Sequence, residues 1–141
     1  MQWNIRGLKS NVHELSILLN DINSNVLCLQ ETKLPKNHDF SLKGYNAYHK
    51  VYTGGEIACG GTSILVKKAI LHKPIPIKTS LQAVAVRVTL HRPITICSIY
   101  LPPDSKPSRQ DIEHIINQLP SPFLLVGDFN ARNPMWGNPE W

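Results

Sequence analysis

Apolar positions along this chain follow two periods, and the switches between them mark the elements. Val12, Leu15, Leu18, Leu19 and Ile22 recur at helical spacing after Asn11, with Glu14 three residues further on. Together these predict a helix over 12–20 that opens with a capping box. Ile112, Ile115, Ile116 and Leu119 repeat at i, i+3, i+4 and i+7 after Ser108 and Asp111, which predicts a second, amphipathic helix over 109–119. Between and around these the period falls to two. Val84, Val86, Val88 and Leu90 form one face of a strand, and Ala83, Ala85, Arg87 and Thr89 the other. Residues 2–5, 25–31 and 45–52, "TSILVKK" and "PITICSIYLPP" read as further strands. "FLLVG" reads as a strand buried on both faces. Residues 32–44 form a loop with Pro35 and Gly44, "TGGEIACGG" is a glycine-rich connection, and "HKPIPIK" is held extended by its prolines. Strands and helices in this mixture predict a twisted sheet with helices packed on it.

The strands share a second feature. Each apolar run ends in a polar group: the first at Asn4, the second at Glu31, "TICSIY" at Tyr100 and "FLLVG" at Asp128 and Asn130. In layered folds, ligand sites commonly lie beyond strand ends, where the strands hold side chains rigidly. Two carboxylates, two amides and a phenol make a hard, oxygen-rich set. Such a set suits Mg²⁺ and the stabilisation of charge on a transferring phosphate. Taken singly, each residue also has a plain structural use: Asn4 in a turn, Glu31 as a solvated charge, Tyr100 in the core, and Asp128 and Asn130 in a turn after Gly127.

Composition narrows the setting. The 141 residues suffice for one modest domain, and 42% hydrophobic with 18% charged residues is globular. Net charge is +5, and no acidic residue falls between Ile57 and Pro103, where Lys67, Lys68, Lys73, Lys78, Arg87 and Arg92 occur. That distribution fits either an anionic partner or an ordinary solvated face. Cys28, Cys59 and Cys97 are odd in number and lack metal-ligand spacing. Cys28 and Cys97 lie in apolar runs, so buried thiols in a reducing nuclear or cytoplasmic compartment are expected. No run approaches the roughly 20 apolar residues of a membrane span, and no secretory leader precedes the first strand. The chain reads as cut at both ends, since it starts inside a strand and stops soon after a loop opens.

The blocks "QWNIRGL", "LCLQETK", "GGTSILVK", "SIYLPPD" and "LLVGDFNAR", in that order, resemble the endonuclease/exonuclease/phosphatase superfamily. More narrowly, "IYLPPD" and "NPMWG" resemble the endonuclease domain of jockey-type non-LTR retrotransposons. The resemblance implies an α+β, deoxyribonuclease-like four-layer α/β/β/α sandwich, of which this chain is the N-terminal part. It implies metal-assisted hydrolysis of a DNA phosphodiester, leaving a 3′-hydroxyl to prime reverse transcription. Matched motif by motif, Asn4 helps hold the metal and scissile phosphate, and Glu31 binds the metal. Tyr100 contacts the phosphate. Asp128 and Asn130 position and deprotonate the attacking water, with Asn130 also touching substrate. Gly127 would let the strand turn sharply into that pair. The implied cofactor is Mg²⁺, with Mn²⁺ as the alternative. The partner is DNA, with no membrane and no obligate protein partner.

Two departures from the family pattern stand out. Some members carry an acid two residues after the first asparagine, where this chain has Arg6. A late aspartate and a Ser-Asp-His block have no counterpart in these 141 residues, nor does a reverse transcriptase domain. His13, His38, His49, His72, His91 and His114 match no motif position and read as surface or packing residues. The chain is therefore expected to be one partial domain with an exposed inner sheet face and weak or absent nicking. Two alternatives stay open: another phosphoesterase of the superfamily, or a non-catalytic remnant of a mobile element. Trp136 and Trp141 read either as base-stacking residues or as core residues lacking partners.

Overall fold

A computed structural model of the protein describes residues 1–131 and Met135. Two four-stranded sheets form its centre. The first contains β1 (Gln2–Asn4), β2 (Val26–Gln30), β3 (Tyr45–Lys50) and β4 (Thr62–Lys67), in the order β1-β2-β4-β3. The second contains β5 (His72–Ile75), β6 (Gln82–Thr89), β7 (Pro93–Tyr100) and β8 (Phe123–Asp128), in sequence order. Both sheets are mixed: β1–β2 and β7–β8 pair in parallel, and the other pairings are antiparallel. The parallel pairs need crossovers, and α1 (Val12–Ile22) and α2 (Arg109–Ile116) supply them. Because β1 and β8 sit at the same edge of the sandwich, the parallel pairs of both sheets lie together.

Three apolar layers hold the four structural layers together. Ile5, Leu15, Leu27, Leu29 and Leu65 pack between α1 and the first sheet. Cys28, Ile64, Val66, Val86, Val88 and Ile96 fill the space between the sheets. Ala85, Cys97, Ile99, Ile115 and Leu119 pack between the second sheet and α2. This is the α/β/β/α order expected. The inner faces cover one another, with side chains of both sheets in one buried cluster. Among the described residues, part of the expected exposure is found at the β1/β8 edge. There Leu124 is 50% and Phe123 37% exposed, and a cleft of about 250 Å³ runs between Gln2, Cys28, Leu124 and Val126. β8 is thus not buried on both faces, because it is an edge strand of the described sheet.

Local departures from the sequence reading have identifiable causes. Asn11 does not cap α1: its amide donates to the Ile5 carbonyl at 2.7 Å, fastening the end of β1 instead. The helix runs to Ile22, where left-handed Asn23 terminates it by donating to Leu19. At α2 the capping box forms, with Ser108 and Asp111 exchanging hydrogen bonds. The prolines of "HKPIPIK" do not prevent a strand, because β5 is an edge strand and tolerates Pro74. Arg87 contributes no free positive charge. Its guanidinium donates to Thr95 and to the carbonyls of Pro120, Ser121 and Pro122, tying down the turn before β8. Cys28 and Cys97 are buried as expected, while Cys59 is exposed.

Candidate active site

The inward-facing side chains of the two sheets grade from apolar to polar toward one end. Val26, Val66, Val86 and Ile96 lie at the apolar end. Two residues on, Cys28 and Ile64 are matched by Ser98 and Val126. At the last rung Asn4 pairs with Gln30 and Gln30 with Thr62 in the first sheet. Opposite them, Gln82 pairs with Tyr100 and Tyr100 with Asp128. Period-two alternation therefore carries Asn4, Tyr100 and Asp128 to one level of the gap between the sheets.

Glu31 reaches this gap by another route. Gln30 faces inward, so an extended Glu31 would face α1. Instead Glu31 has φ +51° and leaves the strand direction. Arg6 (φ +50°) and Asn130 (φ +44°) make the same left-handed departure just beyond β1 and β8. For L-residues this conformation costs about 1–2 kcal/mol, least for Asn. With Lys33 (φ +50°), two residues past Glu31, four such residues surround one strand-end corner and mark it as a strained, shaped site.

Asn4 occupies the centre. Its Nδ2 donates to Glu31 Oε1 at 2.9 Å and to Asp128 Oδ2 at 2.7 Å. Its Oδ1 accepts the backbone N–H of Arg6 at 3.3 Å. One amide thus separates two carboxylates from opposite sheets. Asp128 Oδ1 in turn accepts the N–H of Asn130 at 3.0 Å. The Asn130 amide donates to the Leu101 carbonyl at 2.7 Å, so Asn130 meets Asp128 through its backbone rather than its side chain. Tyr100 is 6% exposed, and its phenol is pushed up to about 12. Burial is the main cause, followed by the charge and hydrogen bonding of Glu31, then the charges of Asp128 and Cys59. At neutral pH Tyr100 is a neutral hydrogen-bond donor facing two carboxylates. A cleft of about 600 Å³ opens beside this corner, lined by Gln2, Gly127, Asp128, Phe129, Asn130 and Ala131.

The five residues singled out from the sequence thus lie together, but Gly127 plays a different part. It lies inside β8, opposite Ile99, and not at a turn. A Cβ there would overlap the Ile99 carbonyl oxygen, so the glycine permits close approach of β8 to β7. The turn is made by Asn130.

Sequence reasoning missed the layer beneath. Gln30, Thr62 and Ser98 are fully buried. Gln30 Nε2 donates to Ser98 Oγ at 3.0 Å, the Ser98 and Thr62 hydroxyls are 2.6 Å apart, and Gln2 donates to Gln30 Oε1. On the far side, the Gln82 side chain accepts the Gly61 N–H, linking the second sheet to the loop before β4. Gly60 has φ +55°, and a Cβ there would strike the Gln82 amide. The Gln30–Ser98, Thr62–Ser98 and Gln82–Gly61 bonds cross between the sheets and fix their relative register, while Gln2 braces Gln30 within the first sheet. The signal was present as polar residues at inward positions of otherwise apolar strands.

The donor set fits a hard divalent cation. Glu31 and Asp128 are half-buried carboxylates, and Asn4 Oδ1 has a second lone pair. Among the described residues no group of three or more His, Cys, Asp or Glu could form a cage. An ion held here would keep several waters, as Mg²⁺ does. Trp136 and Trp141 lie outside the described residues.

Comparison with known proteins agrees with this geometry. The model of the Endonuclease/Exonuclease/phosphatase family matches residues 1–141. The chain is 33% identical over 142 residues to an RNA-directed DNA polymerase from mobile element jockey of Drosophila melanogaster, covering 98% of the chain and 15% of that protein. It is 30% identical over 138 residues to the probable RNA-directed DNA polymerase from transposon X-element of Drosophila melanogaster, covering 96% of the chain and 15% of that protein. Among solved structures, the endonuclease domain of TRAS1, a telomere-specific non-LTR retrotransposon, superposes with a TM-score of 0.70 at 23% identity, covering 96% of this chain and 60% of that one. The 3'-5' exonuclease NExo of Neisseria meningitidis superposes with a TM-score of 0.68 at 17% identity, covering 92% and 57%. The chain spans about one seventh of the length of its retrotransposon relatives. Its strand-tip blocks, its paired mixed sheets and the full-length family match all lead to one assignment: the chain belongs to the endonuclease/exonuclease/phosphatase family.

Proposed function

We propose that this chain supplies the metal-binding and water-activating part of a Mg²⁺-dependent endonuclease that nicks DNA. The observation that carries this reading is the single Asn4 amide held between Glu31 and Asp128. Glu31 would hold the ion, and the bound cation would neutralise charge developing on the phosphate. Asp128, fixed by Asn4 and by the Asn130 backbone, is the base that accepts a proton from the attacking water. Tyr100, kept protonated, donates to a phosphate oxygen. DNA as substrate is supported by relatives of similar fold, one of which, a Neisseria 3' phosphatase, is described as bound to a product DNA hairpin. Turnover is expected to be slow, because residues acting as one unit are strongly non-additive and the late aspartate and histidine of the family pattern have no match in these 141 residues.

The test is relaxation of supercoiled plasmid by the purified chain. Slow appearance of open circles is expected with Mg²⁺ or Mn²⁺, abolished by chelation and by Glu31→Gln or Asp128→Ala. Relaxation that survives Asp128→Ala or Glu31→Gln overturns the reading.

A further inference from the structure

The turns that follow β1 and β2 do more than end two strands. They continue the parallel ladder as a backbone stitch: Gly7 donates to the Glu31 carbonyl at 2.8 Å and Leu8 to the Thr32 carbonyl at 2.9 Å. Lys33 donates to the Gly60 carbonyl at 2.8 Å, so the glycine loop is drawn into the same corner. Two long cationic residues ride on these turns. Arg6 lies two residues beyond Asn4 and Lys33 two beyond Glu31, and both are exposed. The Arg6 N–H is bonded to the Asn4 side chain itself, so Arg6 begins at the edge of the site.

Exposure alone would be unremarkable for Arg and Lys. Two further observations set these apart. Both have left-handed backbones, Arg6 at φ +50° and Lys33 at φ +50°, where Gly or Asn would relieve the strain. And among the described residues neither side chain has an ion-pair or hydrogen-bond partner, whereas neighbouring Lys9 is paired with Asp39 and Arg87 is fully engaged. Strain kept around a site, together with unspent charge, points to a ligand.

We infer that Arg6 and Lys33 form a phosphate clamp on the rim of the site, each holding a backbone phosphate of the DNA strand beside the scissile bond. The clamp offsets the charge of Glu31 and Asp128, which would otherwise repel the polyanion before a metal enters. Where an acid at the Arg6 position would add to the metal site, arginine turns that position toward substrate. Its planar fork suits phosphate oxygens, and Lys33 acts as a point charge. The inference rests on the nuclease reading for its ligand, but not for its test.

The test is binding without chemistry. Anisotropy of a labelled DNA duplex is followed with the whole chain in chelator, across about 50–200 mM salt. Each phosphate contact contributes a slope of about 0.9 in log affinity against log salt. Arg6→Gln and Lys33→Gln should each lower the slope by about one, and the pair by about two, with affinity falling alike on unrelated sequences. Arg6→Asn guards against misfolding, since Asn tolerates the left-handed backbone. It should melt no lower than the parent and still lose the slope. An unchanged slope in the double variant overturns the clamp even if the parent nicks plasmid. A reduced slope upholds it even if no nicking is seen, so the two readings fail separately.

Discussion

The Nδ2 of Asn4 donates at 2.7 Å to Asp128 Oδ2, joining residues 124 positions apart across the gap between the two sheets. The same nitrogen holds Glu31 at 2.9 Å. One amide nitrogen thus holds the two carboxyl groups side by side without direct contact between them.

Replacing that donor should therefore uncouple the pair. Asn4→Ala is expected to reduce plasmid nicking by about a hundredfold or more and to cost ~1–3 kcal/mol, the usual range for hydrogen bonds to charged groups. Asn4→Asp should lose as much activity and more stability, because a third carboxylate enters the corner. Parallel nicking assays and urea titrations of the two variants check this. Equal stability of Asn4→Asp and the parent would contradict it.

The buried layer beneath the site should behave as a polar bolt. Gln30→Leu is expected to cost ~1–3 kcal/mol, since it removes the donor to Ser98 and the acceptor for Gln2. Ser98→Ala added to Gln30→Leu should cost less than the sum of the two single changes, because the partners vanish together. Chemical unfolding of the four proteins measures the coupling, and strict additivity would show that the network holds nothing.

Two glycines should separate two causes of intolerance. Gly127→Ala places a Cβ against the Ile99 carbonyl, a backbone atom that cannot move without parting β7 from β8. It is expected to cost about 3 kcal/mol or more. Gly44→Ala meets nothing within 4 Å and suffers only its φ of +86°, which costs about 1–2 kcal/mol. Thermal melts of both variants should keep that order.

Stability should fall at both ends of the pH range, for different groups. The imidazole of His49 is held down to about 4, first by burial and then by the nearby charge of His38. A base whose value is lowered on folding contributes stability above its unfolded value, near 6.5, and loses it as pH falls through 4. The thiols of Cys28 and Cys97 are raised by burial from 9.0 to about 11 and about 12, and Tyr100 from 10.0 to about 12. Their contribution is complete below 9 and is lost as pH climbs through 11 to 12. Melting temperature against pH should show both limbs. His49→Gln should flatten the acid limb and Tyr100→Phe part of the alkaline one.

Much of this architecture was legible in one dimension because its elements are set by periodicity. The alternation around Val84–Val86–Val88 survives in the folded chain, and so does the helical spacing of Ile112, Ile115 and Ile116, since burial of one face is all they require; the helix expected to reach residue 119 stops at Ile116, and Leu119 is buried from the turn beyond it. The same period of two carries Asn4, Tyr100 and Asp128 to a common level, so their convergence was readable from strand ends. Tertiary structure decided the rest. By alternation alone Glu31 would face α1. A left-handed backbone, held by the Gly7–Glu31 hydrogen bond between neighbouring turns, moves it to Asn4 instead. Gln30, Ser98 and Thr62 meet only because two sheets stack in one register, and no local pattern encodes which inward polar residue will find a partner opposite. Asn11 and Gly127 have the composition of a cap and a turn, yet one fastens β1 and the other admits β7. A residue's chemistry states what it can bond, and only the folded chain decides which group lies within reach.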